Sequence, residues 1–352
     1  MTTFAIGVDL GGTNLRIAAV DSTGKTLEKI TTSTEVARGR DQVIDEMCAA
    51  IQQIIIQQRG IQQHGAGELA GIGIGVPGII EMQTGMLHES PNLPGWHNYP
   101  VRDEIERRLQ TAVVLENDAN AAALGEKWLG AAAAVDDMCM FTLGTGVGGG
   151  LVLQGKIWHG MTGMAGELGH TNVEPEGHPC KCGSRGCLEQ YASATAVKRL
   201  AQEAIASGTA PHMANALKQD VEFTSKKIFD LAMQGDAQAK GIFERVGKAL
   251  GTVIADMVNI FNFPMYVVGG GVASAWDAFA PSMLETIGRN SFVYRNTAPY
   301  VNAAAGDAGG ASVHGTIITR ALLGSDAGLI GAARLPMIAG KANAAEAELK
   351  RA

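Results

Sequence analysis

Three of the chain's five cysteines, Cys180, Cys182 and Cys187, fall within the stretch GELGHTNVEPEGHPCKCGSRGCLEQ, which runs from Gly166 to Gln190. Thiolates at that spacing, with Gly183 and Gly186 between them to relieve the backbone, can wrap around one ion. Three sulfurs and an imidazole make a closed tetrahedral zinc site of the structural kind. Two histidines lie upstream, and spacing leaves the choice between them open. His178 is two residues from Cys180 and is followed by Pro179, a tight geometry. His170 could place one ring nitrogen on zinc and keep the other for a ligand. Cys48 and Cys139 sit in apolar patterns and read as core.

A second chemistry is written in glycine. Asp9-Leu-Gly-Gly-Thr-Asn14 can bring the backbone N–H groups of Gly11, Gly12 and Asn14 and the Thr13 hydroxyl up to a phosphate, because glycine has no Cβ to block the approach. Asp9 then sits where a phosphate-bound Mg²⁺ needs an oxygen ligand, directly or through water. Gly144-Thr145-Gly146 offers a second turn of this kind. Either turn alone reads as an ordinary hairpin, but two in matching positions point to phosphate. Gly144, Gly146 and Gly149 also fit the dinucleotide spacing G-x-G-x-x-G, yet LVLQGKIW follows as a strand, where that motif needs a helix. Gly150 to Lys156 spaces like a P-loop, but its interior LVLQ is apolar strand and Ile157 stands where Ser or Thr is required. Both matches are accidental.

The elements that must position these residues alternate between strand and helix. FAIGVDL and LRIAAV flank Gly11 and Gly12 as a hairpin. Ile44, Met47, Ile51, Ile54 and Ile55 follow helical spacing between Asp41 and Gln58. LAGIGIGVPG and TAVVLEN read as buried strands, the second running into the helical ANAAALGEKWL. MCMFTLGTGVGGGLVL repeats the strand, glycine turn and strand of the N-terminus with little shared sequence. A helix from Asp236 to Phe261, a strand MYVVGGG and further helices follow, and Ala342–Ala352 reads as a fraying helix end. Two related α/β halves, each offering a glycine turn to a common cleft, form the simplest architecture. By position alone, Asn117 and Asp118 stand at a strand-to-helix junction, where both residue types serve as N-caps.

Composition bounds the function. The chain has 352 residues, enough for about two domains. Its formal net charge of −7 argues against a broad nucleic-acid or anionic-membrane surface. The N-terminal residues lack the basic and apolar regions of a secretory signal, and no apolar run is long enough to span a bilayer. The expected location is the cytoplasm, where disulfides are rare.

Taken together, DLGGTN, GVPG, ESPNLPGW, ENDANAAALGE, the second glycine hairpin, GELGH, CKCGSRGCLEQYAS and SDAGLIGAA resemble the ROK family of repressors and sugar kinases over nearly the full length. Within it the chain is most similar to the glucokinases. The resemblance implies the actin-like ATPase (ribonuclease H-like) fold, with ATP and sugar meeting between two α/β domains. The smaller N-terminal domain would hold residues 1–117 and about 328–352, and the larger one, with the zinc site, residues 118–327. It implies His170 as the fourth zinc ligand and Asp118 as the catalytic base. Asn92, Asn117, Glu167, His170 and Glu189, with Asp118, match the sugar contacts. Gly269, Gly270 and Gly271 match an adenosine-side glycine turn, beside Asp9, Gly11 to Asn14 and Gly144 to Gly146 on the phosphates. The implied activity is Mg²⁺- and ATP-dependent phosphorylation of glucose at its 6-hydroxyl, the entry step of glycolysis, by a homodimer or homotetramer. Zinc would be scaffolding that fixes Glu167, His170 and Glu189.

Three alternatives accompany that reading. A kinase of fructose, mannose or an N-acyl amino sugar differs by as little as one hydrogen bond in the pocket. A sugar-responsive repressor would need a helix-turn-helix segment before the first strand, whereas that strand begins at about Phe4. Polyphosphate in place of ATP is disfavoured by the resemblance, because the family's polyphosphate users lack the cysteine cluster.

Overall fold

The computed structural model describes residues 3–61, 67–218, 223–298 and 315–349. The chain divides into two compact units, one of residues 1–136, 150–166 and 322–352, the other of residues 137–149 and 167–321. It opens with β1 (Thr3–Leu10), β2 (Asn14–Asp21), β3 (Thr26–Ser33) and α1 (Arg40–Ile61). β4 (Glu68–Val76), the short β5 (Ile79–Glu81) and β6 (Met86–Glu89), α2 (Val101–Leu109), β7 (Val113–Asn117) and α3 (Asp118–Leu129) follow. Next come β8 (Met138–Leu143), β9 (Val147–Leu153), β10 (Lys156–Ile157), α4 (Glu189–Ala192), α5 (Ala194–Ala206), α6 (Pro211–Lys218), α7 (Ser225–Met233) and α8 (Ala237–Phe261). The chain continues through β11 (Met265–Gly269), α9 (Trp276–Asn290), α10 (Phe292–Thr297), β12 (Ile317–Arg320) and α11 (Ala327–Leu349). The expected fray from Ala342 is helix as far as Leu349, and residues 350–352 lie outside the described residues.

One sheet has the order β3-β2-β1-β4-β7, with antiparallel pairing among β1, β2 and β3 and parallel pairing of β1, β4 and β7. The other has the order β10-β9-β8-β11-β12, with β8, β11 and β12 parallel. The same layout occurs twice, as the two glycine hairpins predict. In both, the first strand runs into a glycine turn, and the carboxyl ends of parallel neighbours lie beside it. That edge is where α/β proteins place chemistry.

In the first sheet, alternation divides β1 between two cores. Phe4, Ile6, Val8 and Leu10 face the apolar side of α1, where Ile44, Met47, Ile51 and Ile54 are buried. Ala5, with Ala18 and Val20 of β2, faces Leu329, Ile330 and Ala333 of α11. A Cβ at Gly7 or Gly73 would overlap the α11 backbone at Leu329 or Ala332, so helix and sheet approach to a distance that only glycine allows. α3 packs on α11 and belongs with the first unit, whereas the sequence division at Asp118 put it with the second. In the second unit, Asp236 caps α8 by accepting from Ala239 N–H at 2.8 Å. Ile242, Phe243, Val246, Leu250, Val253 and Ile254 bury its apolar face.

Candidate functional site

In the first unit, Asp9, Val76 and Asn117 lie at the carboxyl ends of three parallel neighbours at one edge of the sheet, with Asp9 in register with Gly75 and Val76 with Asn117. The DLGGTN turn is closed by Gly11 N–H donating to Asn14 O at 2.9 Å and tied to the residue after β3 by Thr34 N–H donating to Thr13 O. The Thr13 and Asn14 side chains are exposed. The Asp9 side chain is 18 % exposed, and its Oδ2 accepts from Arg16 Nη1 at 3.0 Å. Burial raises its carboxyl above the usual range, and the Arg16 guanidinium opposes that rise. Asp9 is in register with Arg16 across β1 and β2, so the hairpin itself builds the pair.

Gly12 lies against the loop that carries Asn92. A Cβ on Gly12 would be 2.5 Å from the Asn92 carbonyl oxygen. Buried Leu93 and Trp96 anchor that loop, Trp96 meets Tyr99 edge-on at 5.6 Å, and Asn92 is exposed. The atoms nearest the missing side chain of Gly12, which the sequence assigned to phosphate approach, belong to Asn92.

Asn117 and Asp118 divide the two tasks that position alone left undecided. Asn117 is the N-cap of α3, its Oδ1 accepting from Ala119 N–H at 2.9 Å and Asn120 N–H at 3.2 Å. It spends one of its two amide hydrogens on Gly78 O at 3.2 Å. Asp118 is the first helical residue, half-buried, with Oδ1 accepting from Ala119 N–H at 2.9 Å. With the cap supplied by Asn117, helix formation does not require a carboxylate at Asp118.

Two further residues of this unit escaped the sequence reading. Glu116, 1 % exposed, precedes Asn117 on β7, and its Oε2 faces His159 Nε2 at 2.7 Å. The hydrogen bond to Glu116 raises the His159 pKa, against the opposing effect of partial burial. A charged residue at an inward position of VVLEN was the available signal for Glu116. Nothing in the sequence marked His159.

In the second unit, a short helical turn, Leu168–His170, points the His170 ring at the cysteines. His170 Nδ1 is 3.7 Å from Cys180 Sγ, and Cys182 Sγ is 3.7 Å from Cys187 Sγ. The four ligand atoms lie within 4.8 Å of one another. Sulfurs at about 2.3 Å from a tetrahedral zinc stand about 3.8 Å apart, so the donor set fits that ion. Positive φ at Gly183 and Gly186 bends the chain back on itself, and Cys180 N–H donates to Ser184 O at 2.8 Å. Burial and the neighbouring thiols push the Cys187 thiol up to about 12, while the Ser184 backbone N–H lowers that of Cys182. His178 is turned away, its Nδ1 2.9 Å from Pro179 O. Of the two histidines left open by spacing, His170 is the one among the cysteines.

The proposed sugar contacts of this unit adjoin the cluster. Glu167 Oε2 lies 4.0 Å from His170 Nε2, the ring nitrogen not facing the cysteines. Glu189 follows Cys187 by two residues and opens α4, and its Oε2 accepts from Val147 N–H at 3.0 Å. A Cβ on Gly146 would overlap that carboxylate. The Gly144-Thr145-Gly146 turn therefore adjoins Glu189. Gly144 N–H donates to Gly146 O, and Thr145 O accepts from Thr195 Oγ1 at 2.8 Å. Gly269 of β11 is in register with Thr142 of β8, and Gly270, with φ of +84°, packs on Leu143 where a Cβ would be 2.5 Å from its oxygen. Gly271 has open space where its Cβ would be. The two glycine turns proposed for the nucleotide are thus brought together at one edge of this sheet.

A twice-used sheet with chemistry at the glycine-turn edge defines an α/β protein of the actin-like ATPase fold, the fold of its structural relatives. Residues 5–337 match the ROK family, and the chain belongs to it. It is 40 % identical to a glucokinase from Thermotoga maritima over 80 % of this chain and 86 % of that one. A glucokinase from Halalkalibacterium halodurans is 37 % identical over 93 % of this chain and 92 % of its own. Among solved structures, the ROK glucokinase of Streptomyces griseus in complex with glucose and AMPPNP superposes with a TM-score of 0.74 at 33 % identity, covering 94 % of this chain and 98 % of that one.

Proposed function

We propose that the protein is a glucokinase, transferring the γ-phosphoryl group of ATP to the 6-hydroxyl of glucose. The observation that carries this reading is the likeness to two glucokinases over 80 % and 93 % of the chain. Asp118 is the base. Its carboxylate accepts the proton of the 6-hydroxyl as that oxygen bonds to the γ-phosphorus and ADP leaves. Asn92 and Asn117 in the first unit, and Glu167, His170 and Glu189 in the second, are the sugar's hydrogen-bond partners. Paired oxygens and amides suit vicinal hydroxyls.

The phosphates are met by Gly11 to Asn14, by Gly144 to Gly146 and, towards the adenosine, by Gly269 to Gly271. Asp9 gives one oxygen to Arg16 and has the other to offer a cation, so it suits Mg²⁺. When bound, Mg²⁺ neutralises phosphate charge. His170, Cys180, Cys182 and Cys187 would hold the zinc ion, which would close the loop between Glu167 and Glu189.

Among the described residues no helix is long and apolar enough to cross a membrane. A cytoplasmic homodimer or homotetramer, binding neither nucleic acid nor membrane, completes the proposal. The test is a coupled assay over glucose, fructose, mannose and N-acyl amino sugars, with ATP or polyphosphate as donor. Glucose and ATP should give the highest kcat/KM. A higher value for another sugar or donor, or binding without turnover, would replace the reading.

A further inference from the structure

His159 and Glu116 belong to no part of the site described so far. Glu116 holds the chain on both sides of Asp118. Its Oε1 accepts from Asn117 N–H at 2.9 Å, the residue before the base, and from Asn120 Nδ2 at 3.1 Å, two residues after it. Its Oε2 is 2.7 Å from His159 Nε2. The Glu116 side chain is 2 % exposed and that of His159 is 37 % exposed, so the histidine covers the carboxylate from the solvent side. A buried carboxylate persists only while its oxygens are paired. His159 supplies the partner for the oxygen that the Asp118 turn does not use. Glu116 in turn fixes the backbone from which Asp118 projects.

We propose that His159 is a positioning residue for phosphoryl transfer, acting through Glu116 to hold the Asn117–Asn120 turn in the geometry that aims Asp118. The proposal rests on Asp118 being the base. With the histidine donor gone, Glu116 Oε2 must turn towards water for a partner, and that movement loosens the bonds of Oε1 to Asn117 and Asn120. A displacement of about 1 Å at a reacting group can cost about 10²-fold in rate. The effect belongs in kcat and not in the ATP KM, because none of the candidate phosphate turns, Gly11 to Asn14, Gly144 to Gly146 and Gly269 to Gly271, lies on the Asn117–Asn120 turn.

The experiment compares His159→Gln, whose amide nitrogen reaches as far as Nε2 and can still donate to Glu116, with His159→Asn, whose shorter amide does not reach. Melting temperature, kcat and the KM values for glucose and ATP are measured for each. His159→Asn should lower kcat by about 10- to 100-fold with the ATP KM within about twofold, and His159→Gln should recover most of the loss. A folded His159→Asn enzyme at wild-type kcat would overturn the proposal. So would equal losses in the two variants, or a His159→Asn chain that does not fold, since each assigns the pair to stability alone. Asp118→Asn, run beside them, separates the two readings. If it turns over normally while His159→Asn is slow and His159→Gln is rescued, the base assignment fails and the positioning of the turn stands.

Discussion

Alanine at Gly12 would put a methyl carbon 2.5 Å from the Asn92 carbonyl oxygen and 3.1 Å from the Asn92 Cβ. Ordinary contact begins at 3.4 Å, so one side must retreat by about 0.9 Å. The turn is held by the β1 and β2 ladder and by the bonds from Gly11 to Asn14 and from Thr34 to Thr13. Asn92 is exposed, so its loop is the side that yields, pivoting on buried Leu93 and Trp96. Gly12 does not have a positive φ, so alanine adds no backbone strain of its own. A shift of that size removes the hydrogen bond proposed between Asn92 and the sugar, with a net value of about 0.5–1.5 kcal/mol. The glucose KM should therefore rise about 2- to 13-fold, while the ATP KM moves less. Initial rates with each substrate varied in turn, beside a melting curve, read this directly. An ATP KM that rises while the glucose KM stays fixed would refute the steric argument and leave phosphate approach as the dominant role of Gly12. An equal rise in both with a lower melting temperature would mean general damage.

Asp118→Asn should lower kcat by about 10²–10⁴-fold with little change in glucose affinity or melting temperature, because Asn117 supplies the helix cap; a variant keeping a third of wild-type turnover removes Asp118 from the role. Elemental analysis should find one zinc per chain, and Cys182→Ser should lose it and raise the glucose KM more than the ATP KM; a metal-free variant with normal glucose affinity ends the proposed link between the clip and the pocket. His159 has its pKa raised by Glu116, so the stability it adds is complete below its unfolded value of about 6.5 and is lost as pH rises through the folded value. The melting-temperature gap between wild type and His159→Gln should thus shrink from pH 6 to pH 9, and a gap that widens would contradict the sign.

Periodicity made α1 and α8 legible, because each buries one regular apolar face, whereas β1 is buried on both faces and α3 almost all round, and both were read from short apolar runs. The twofold layout was legible from the two glycine hairpins alone. The cysteines announced a candidate metal site by type and spacing, but the choice of His170 over His178 depends on how the Leu168–His170 turn aims a ring. The neighbours of Gly12 and Gly146 were hidden for a related reason: a missing side chain does not say which atoms fill the space. Asp9 and Arg16 could have been paired by counting across their hairpin. Glu116 and His159 could not, since 43 residues separate them and only tertiary packing brings them together.

The close crossing of α3 and α11 has a mechanical consequence for the proposed catalytic step. A Cβ at Gly125 would overlap Ala327 O, and one at Gly331 would overlap Ala121 O, so each helix is seated in a notch of the other. Seating of that kind prevents sliding along the axis as well as separation. α3 is a stiff rod, and its first residue is Asp118, about 10 Å along the axis from Gly125. The axial setting of the carboxylate is thus gauged by a stop two turns away. A single methyl group at Gly125, touching neither sugar nor phosphate, would act like a shim, shifting the whole rod and moving Asp118 off its target.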